Sequence, residues 1–468
     1  MASKPSAMVR LKKNSGQGGM NVENALQQLK VSANGRFIVK TDNSPFYWLG
    51  DTAWELFARL DKEEADYYLR TRAEQGFTIV QAVALAELDQ SDPTGNIYGR
   101  HPLLLGDNGH PDPELPDVSG DYSYWAHVDY IIDQANALSM YVALLPTWGN
   151  RFHKWPFDDG AEIFTVENAF TYGKWIGERY KSVPGLVWVL GGDRPLHTRR
   201  HFEIIASMAR GIKEGDGGAH LITFHPTGPD SSSRQLHEEP WLDFNMVQSG
   251  HLDTKLTNYQ LVLADYERLP VKPVLDAEPC YEDLPIGFKP ENGYFDAVDV
   301  RKAAYYAMLS GAFGHTYGHH SVWSMCDGHY ATVKFNEPGT FFIMSWKEAL
   351  HRPGAEQMRH VAALFQSRNL LDLVPDQSLI SGNLEGISYR VAARGRDYAY
   401  IYCPNGLYVN VVMGKIEGQS AEASWFNPRD GSYVVAGRCP NEGIRRFTAP
   451  ASGRDNDWVL CLDSGGTA

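Results

Sequence analysis

Asp193 in the stretch LVWVLGGDRP and Glu278 in KPVLDAEPCYED each stand at the carboxyl end of a short apolar run with the composition of a buried strand. Two acids from different strand ends supply what cleavage of a glycosidic bond needs. One protonates the leaving oxygen and the other meets the developing oxocarbenium ion. Glycoside hydrolysis is therefore the leading reading of these residues. Gly191 and Gly192 let a ligand approach the backbone ahead of Asp193, and strand alternation predicts that Asp276 and Glu278 share a face. Asp193 is assigned as general acid/base, which requires a raised pKa. Glu278 is assigned as nucleophile, kept ionised by nearby donors. Carboxyls ~5 Å apart would retain anomeric configuration and ~6.5–9.5 Å would invert it, and the sequence leaves both open. The plainer alternatives are an Asp193–Arg194 pair or helix cap, and a structural ion pair at Glu278.

These acids need a scaffold. Between about 45 and 318, apolar runs at 46–49, 78–85, 141–146, 186–190, 220–225, 243–248, 273–276 and 315–318 alternate with amphipathic helical stretches. Eight such strands predict a (β/α)8 TIM barrel. Asp61 with Glu64 forms a capping box and Gly76 ends that helix, while Trp125, Val128, Ile131, Ile132, Ala135 and Leu138 trace another helix's apolar face. A doubly wound sheet lacks the Gly-x-Gly-x-x-Gly that would support it.

In a barrel the functional groups sit at the carboxyl ends of strands. The candidate binding residues there are Asp51, Trp54 and Glu55 on the first strand, Gln81 and Glu87 on the second, Trp148 on the third and Arg194 beside Asp193 on the fourth. They continue with His225 on the fifth, Gln248 and His251 on the sixth, Tyr281 on the seventh, and Tyr317, His319 and Trp323 on the eighth. Two or three of Trp54, Trp148, Trp323, Tyr281 and Tyr317 are expected to stack on sugar rings, the rest being packing. His315, His319, His320 and His329 lack the helical spacing of HExxH, and no Gly-x-Ser-x-Gly elbow is present. His319 and His320 are read instead as hydrogen-bond donors to hydroxyls, and neither a metal nor another cofactor is expected.

Beyond two helical stretches near 341–350 and 354–367, short alternating segments broken by Gly, Pro and Asn predict an antiparallel β-sandwich. The expected organisation is a flexible leader over 1–25, a catalytic barrel over 26–370 and a β-sandwich over 371–468. In the 468-residue chain 43% of residues are hydrophobic and 21% charged, which argues for a folded core. A net charge of −14 argues against nucleic acid and anionic membrane as partners and favours an oligo- or polysaccharide substrate. Five cysteines without CxxC spacing suggest neither a disulfide framework nor a zinc module. No apolar run approaches the ~20 residues of a membrane span. The leader lacks the apolar core of a signal peptide, so the chain as given reads as cytoplasmic, or as periplasmic or secreted had a signal been removed.

In order, FYWLGDTAWELF, GFTIVQAVALAELD, LLPTWGN, VWVLGGDRP, TFHPTGPDSSS, WLDFNMVQSGH, KPVLDAEPCYED and GAFGHTYGHHSVW resemble the apiosidase-like glycoside hydrolases, the DUF4038 group that includes glycoside hydrolase family 140. The resemblance spans roughly 30–370, and a segment like the family's collagen-binding-like β-domain follows. It implies a retaining (β/α)8 barrel related to clan A, with the acid/base after strand four and the nucleophile after strand seven, where Asp193 and Glu278 fall. It also implies release of apiose from pectic rhamnogalacturonan II side chains. A hydrolase of another furanoside or plant glycoside, such as an arabinofuranoside or a glycoside of a small aglycone, and a non-catalytic carbohydrate-binding protein are the alternatives. The clan usually carries Asn-Glu where this chain has Gly192-Asp193, so the clan's contact to the sugar 2-hydroxyl does not transfer to Gly192.

Overall fold

The computed structural model describes residues 26–86, 95–156, 158, 160–327 and 342–465. Eight parallel strands form the barrel: β1 (Trp48–Thr52), β2 (Ile79–Val83), β3 (Tyr141–Leu145), β4 (Leu186–Gly191), β5 (Ile222–His225), β6 (Asn245–Gln248), β7 (Val274–Asp276) and β8 (Gly314–Tyr317). The ladder runs β6-β7-β8-β1-β2-β3-β4-β5, and a two-residue strand, Asp230–Ser231, adds antiparallel to β6. Between β5 and β6, closure rests on individual bonds. Asp243 N donates to Ile222 O at 2.8 Å, Ile222 N to Asp243 Oδ2 at 2.7 Å, and Thr223 Oγ1 to Phe244 O at 2.7 Å.

The pleat decides which side chains enter the barrel. On β1, Trp48 turns inward, its indole donating to Thr316 Oγ1 at 3.0 Å and lying edge-on to Phe244 and Phe313. Gln81 on β2 also points inward and donates to Ala277 O across the barrel at 3.1 Å. Residues of the opposite parity meet the helices instead: Trp188 on β4 donates to Asp216 Oδ2 at 3.1 Å.

The helices between the strands are α1 (Lys62–Glu74), α2 (Tyr124–Ala137), α3 (Val166–Tyr180), α4 (Arg199–Asp216), α5 (Asn258–Tyr266) and α6 (Ala297–Leu309). Asp61 caps α1 by accepting from Glu64 N, as its spacing predicts. The helices α3 and α4 touch backbone to backbone. A Cβ built on Gly173, Gly177, Gly211 or Gly215 would come within 2.2–2.7 Å of a carbonyl oxygen of the facing helix.

After α7 (Pro353–Gln366) the chain enters the C-terminal unit, with strands β9 (Val391–Arg394), β10 (Tyr398–Cys403), β11 (Gly406–Val412), β12 (Ser420–Phe426), β13 (Tyr433–Pro440), β14 (Ile444–Ser452) and β15 (Trp458–Ser464). A six-stranded sheet, whose first strand is Val374–Pro375, runs on through β9-β10-β15-β12-β13, and β11 and β14 form a separate antiparallel ribbon. Val409, Val411 and Phe447 of the ribbon pack with Ile401, Trp425 and Leu460 of the sheet. Helix α6 is buried along almost its whole length because the barrel covers one side and this unit the other. Across that boundary Arg301 reaches Asp457 at 2.8 Å and Asp455 at 2.6 Å, and Tyr305 stacks on Tyr402 at 4.8 Å. Of the expected helix near 341–350, only Trp346–Ala349 is helical among the described residues. No helix among the described residues is long and apolar enough to cross a membrane.

Candidate active site

Asp193 follows β4 through three consecutive residues with left-handed backbone, φ being 91° at Gly191, 106° at Gly192 and 61° at Asp193. The conformation is free for glycine and costs a non-glycine residue roughly 1–2 kcal/mol, so the surroundings must enforce it. They do so by backbone bonds to both neighbouring loops: Gly149 N donates to Gly192 O at 3.0 Å and Gly192 N to His225 O at 3.2 Å. Arg194 completes the clamp. Its guanidinium pairs with Asp158 at 2.9 Å, lies 3.7 Å over the Trp155 ring and donates to the backbone O of Asp193 at 3.1 Å. Arg194 thus fixes the peptide rather than pairing with the carboxylate in the manner of the plainer reading of Asp193.

Glu278 lies just past β7. Its Oε2 is 2.7 Å from His225 Nε2 and its Oε1 is 3.3 Å from His251 Nε2. His225 is fully buried, with its ring edge-on to Trp54 at 5.3 Å and tilted against Trp148 at 5.8 Å. His251 packs on Tyr281 at 4.5 Å, and Tyr281 in turn lies on Gly318, where a Cβ would fall 2.1 Å from the ring. The two carboxyls are thereby driven apart. Burial, reinforced by the negative charge of Glu278, pushes Asp193 above the usual carboxylate range. Burial would raise Glu278 as well, but the hydrogen bonds and charge of His225 and His251 outweigh it and hold this group well below that range. The two environments thus push the carboxyls in opposite directions, Asp193 toward the acid form and Glu278 toward the carboxylate.

Gln248, at the end of β6, lies where its side chain favours the ionised form of Asp193, and its Oε1 is buried with no partner among the described residues. The indole N–H of Trp148, the side-chain amide of Asn150, the hydroxyl of Thr227, Nδ1 of His251 and Nε2 of His320 are likewise buried without a partner among the described residues. All belong to segments that follow barrel strands at their carboxyl ends. Buried polar atoms are rarely left unpaired, so their concentration at this rim suits a ligand carrying many hydroxyls. Asn150 and Thr227 are not among the sequence candidates, whereas His320 is one of the strand-eight histidines read there as hydrogen-bond donors to hydroxyls.

Parity also corrects several expectations. Asp51 faces outward from β1, where it pairs with Arg72 at 2.7 Å and accepts from Tyr68 OH at 2.6 Å. Tyr317, its register partner on β8, faces outward too and donates to Glu282 Oε2 at 2.6 Å. His319 accepts from Ser321 N at 2.9 Å through Nδ1, leaving Nε2 to donate to Asp283 at 2.9 Å, so both its ring nitrogens are committed to the wall. These three residues build the barrel rather than its mouth. Asp276 does not share a face with Glu278. It accepts from Asn258 of α5 and from Ser249, because β7 ends at Asp276 and the alternation ends with it. Glu55 is buried 3.8 Å from Arg59, and its backbone N donates to the carbonyl of the buried Trp323 at 3.1 Å. Trp323 donates its indole N–H to His320 Nδ1 at 3.3 Å. Glu87 lies outside the described residues. Gln81, Trp54, Trp148, His225, Gln248, His251 and Tyr281 gather on the interior side, with Asp193 and Glu278. No group of three or more His, Cys, Asp or Glu among the described residues is placed to hold a metal ion.

Residues 32–372 match the model of the apiosidase-like catalytic domain. The chain belongs to the apiosidase-like family. Residues 374–463 match the model described as "Putative collagen-binding domain of a collagenase". Among solved structures, a glycoside hydrolase of family 5 from Bacteroides vulgatus is 32% identical, with 94% of this chain and 93% of that one covered and a TM-score of 0.85. A second, described as a glycoside hydrolase, is 31% identical over 94% of this chain and 98% of its own, with a TM-score of 0.81. No curated protein matches. This apiosidase-like protein is accordingly a glycoside hydrolase with a barrel of the TIM type and a C-terminal β-domain.

Proposed function

We propose that this apiosidase-like hydrolase is a retaining apiofuranosidase acting on pectic side chains of the rhamnogalacturonan II type, with Glu278 as nucleophile and Asp193 as general acid/base. The observation that carries the assignment is the placement of Glu278 between His225 Nε2 at 2.7 Å and His251 Nε2 at 3.3 Å, beside an Asp193 whose carboxyl is pushed above the usual range by burial and by the charge of Glu278. In the first step a Glu278 oxygen bonds to the anomeric carbon, the glycosidic C–O bond breaks, and Asp193 gives its proton to the leaving oxygen. In the second step Asp193 takes a proton from water, the water oxygen attacks the anomeric carbon, and the bond to Glu278 breaks.

The choice of sugar rests on family membership. Trp54 and Trp148 supply an aromatic wall beside the carboxyls, with ring centres 5.3 Å apart, and the unpaired polar atoms supply hydroxyl partners. The test is hydrolysis of apiose-bearing pectic oligosaccharides and aryl furanosides in the presence of methanol, with Glu278→Ala as control. A retaining apiosidase yields free apiose and methyl apioside of the substrate's configuration, and both vanish in the variant. Inverted methyl glycoside, or its absence during rapid hydrolysis, would remove double displacement. Turnover confined to arabinofuranosides would move the substrate and keep the roles.

A further inference from the structure

The C-terminal unit carries a surface that catalysis does not use. Strands β11 and β14 bury Val409, Val411 and Phe447 against the sheet, so by alternation Tyr408, Asn410, Ile444 and Arg446 face away from it. Tyr408 is 39% exposed and Ile444 64%, which leaves an aromatic and aliphatic platform in water. Arg446 lies across that platform, its guanidinium carbon 4.1 Å from the Tyr408 ring centre and its Nε donating to Asn410 Oδ1 at 3.0 Å. Arg390 approaches the same ring at 5.7 Å and donates to the Tyr408 carbonyl at 2.5 Å.

The charge is as unusual as the shape. The chain carries a net −14, and most of its described arginines with a carboxylate in reach form ion pairs. Arg445 and Arg446 of this ribbon form no ion pair among the described residues, and neither does Arg390, which is buried and supports Tyr408 from within. The cleft between β13 and β14 adds Arg445, whose parity sets it on the other side of the ribbon from Arg446, and Arg438, which bonds Ser420, and Glu442 at its turn is the one carboxylate among the described residues lining it. A guanidinium fixed in plane by a ring below and an amide beside it keeps its two terminal nitrogens in fork geometry, which matches a carboxylate.

We infer that the outer face of the β11–β14 ribbon, centred on Tyr408 and Arg446, binds an anionic polysaccharide chain whose uronate carboxylate pairs with Arg446 while a sugar face rests against Ile444 and the exposed edge of the tyrosine. This goes beyond the catalytic reading and rests on it only in expecting the substrate's own uronate backbone as the natural occupant. The surface then holds the enzyme on a polymer whose side chains the barrel processes.

Affinity electrophoresis of the full chain in gels containing polygalacturonate, with neutral arabinan gels as control, tests this directly. The parent is expected to be retarded by polygalacturonate, less so as salt rises, and Arg446→Ala with Tyr408→Ala is expected to weaken retention at least about tenfold. Melting temperature and hydrolysis of a small aryl furanoside should stay at parental values, since neither residue touches the barrel mouth. Equal retention of parent and variant, or none by the parent, overturns the inference. So does binding of a triple-helical collagen peptide that depends on the same two residues while polygalacturonate is ignored. The binding assay needs no turnover, so retention by a chain that releases no apiose would refute the proposed activity alone.

Discussion

His225 Nε2 stands 2.7 Å from Glu278 Oε2 while the histidine ring is wedged edge-on against Trp54. The ring cannot swing away without disturbing the aromatic wall, so the carboxylate is held ionised by a fixed neighbour. Replacing His225 with Ala removes the first of the influences that lower Glu278 against burial, so its pKa rises. The acid limb of kcat/KM is expected to move to higher pH, with a loss of about 10²-fold at the optimum. A pH profile of the variant checks this, and an unmoved acid limb would contradict it.

Glu278→Ala should lower turnover by about 10⁴-fold or more, as expected for loss of a nucleophile, while circular dichroism stays unchanged. Asp193→Ala should cost natural glycosides about 10²–10⁴-fold and spare aryl glycosides with good leaving groups in their first step. Equal losses on both substrate classes would take the acid/base role away from Asp193.

Asp193 also makes a prediction about stability. Its folded pKa is raised, so folding favours the protonated form. That contribution is whole below the unfolded carboxylate pKa and is lost as pH climbs through the folded value. Asp193→Asn, which is neutral at every pH, should therefore melt with the parent in acid and above it at neutral and alkaline pH. Thermal scans across pH read the difference directly.

Gly192→Ala tests the left-handed turn. The new Cβ would sit 2.8 Å from the Trp148 ring on a residue with φ of 106°, so Trp148 or the turn must shift. The expected cost is about 1–3 kcal/mol of stability, with activity reduced by ~10²-fold through misplacement of Asp193. A folded variant with parental kcat would show that the turn does not set the position of the acid.

Arg301 is buried with Asp457 across the boundary between barrel and C-terminal unit. Without Arg301, Asp457 keeps Arg429 at 3.1 Å and the Tyr402 hydroxyl at 3.1 Å, so Arg301→Ala should cost about 1.5–3 kcal/mol. Calorimetry is expected to show one transition in both proteins, at lower temperature in the variant. Two separate transitions in the parent would mean that the two units melt independently.

Much of this was legible from the chain. The eight apolar runs and the two acids at strand ends are strong signals, since parallel strands buried on both faces read as continuous hydrophobic segments. The errors lie elsewhere. Asp51, Tyr317 and His319 were placed in the mouth by proximity to strand ends, yet one residue of parity decides between mouth and wall. A run that is apolar at every position, as 46–49 is, does not show which parity faces the interior, and on β1 it is Trp48 that turns inward and Asp51 that turns out. At β7 the reverse occurred: Asp276 and Glu278 share parity in sequence, but the strand stops between them. Asn150 and Thr227 stand in loops, where no periodicity announces a side chain's direction.

The four glycines at the α3–α4 contact have a further mechanical meaning. Packed helices ordinarily slide past each other by small adjustments of interlocking side chains, which is how shear motions are accommodated. Here the facing surfaces are carbonyls and Cα atoms, with no rotamers to adjust. These two helices follow β3 and β4, the strands that lead to Trp148 and Asp193. The sector of the barrel bearing the proton donor is thus built to resist shear, and any opening that admits a bulky substrate must come from the loops above it.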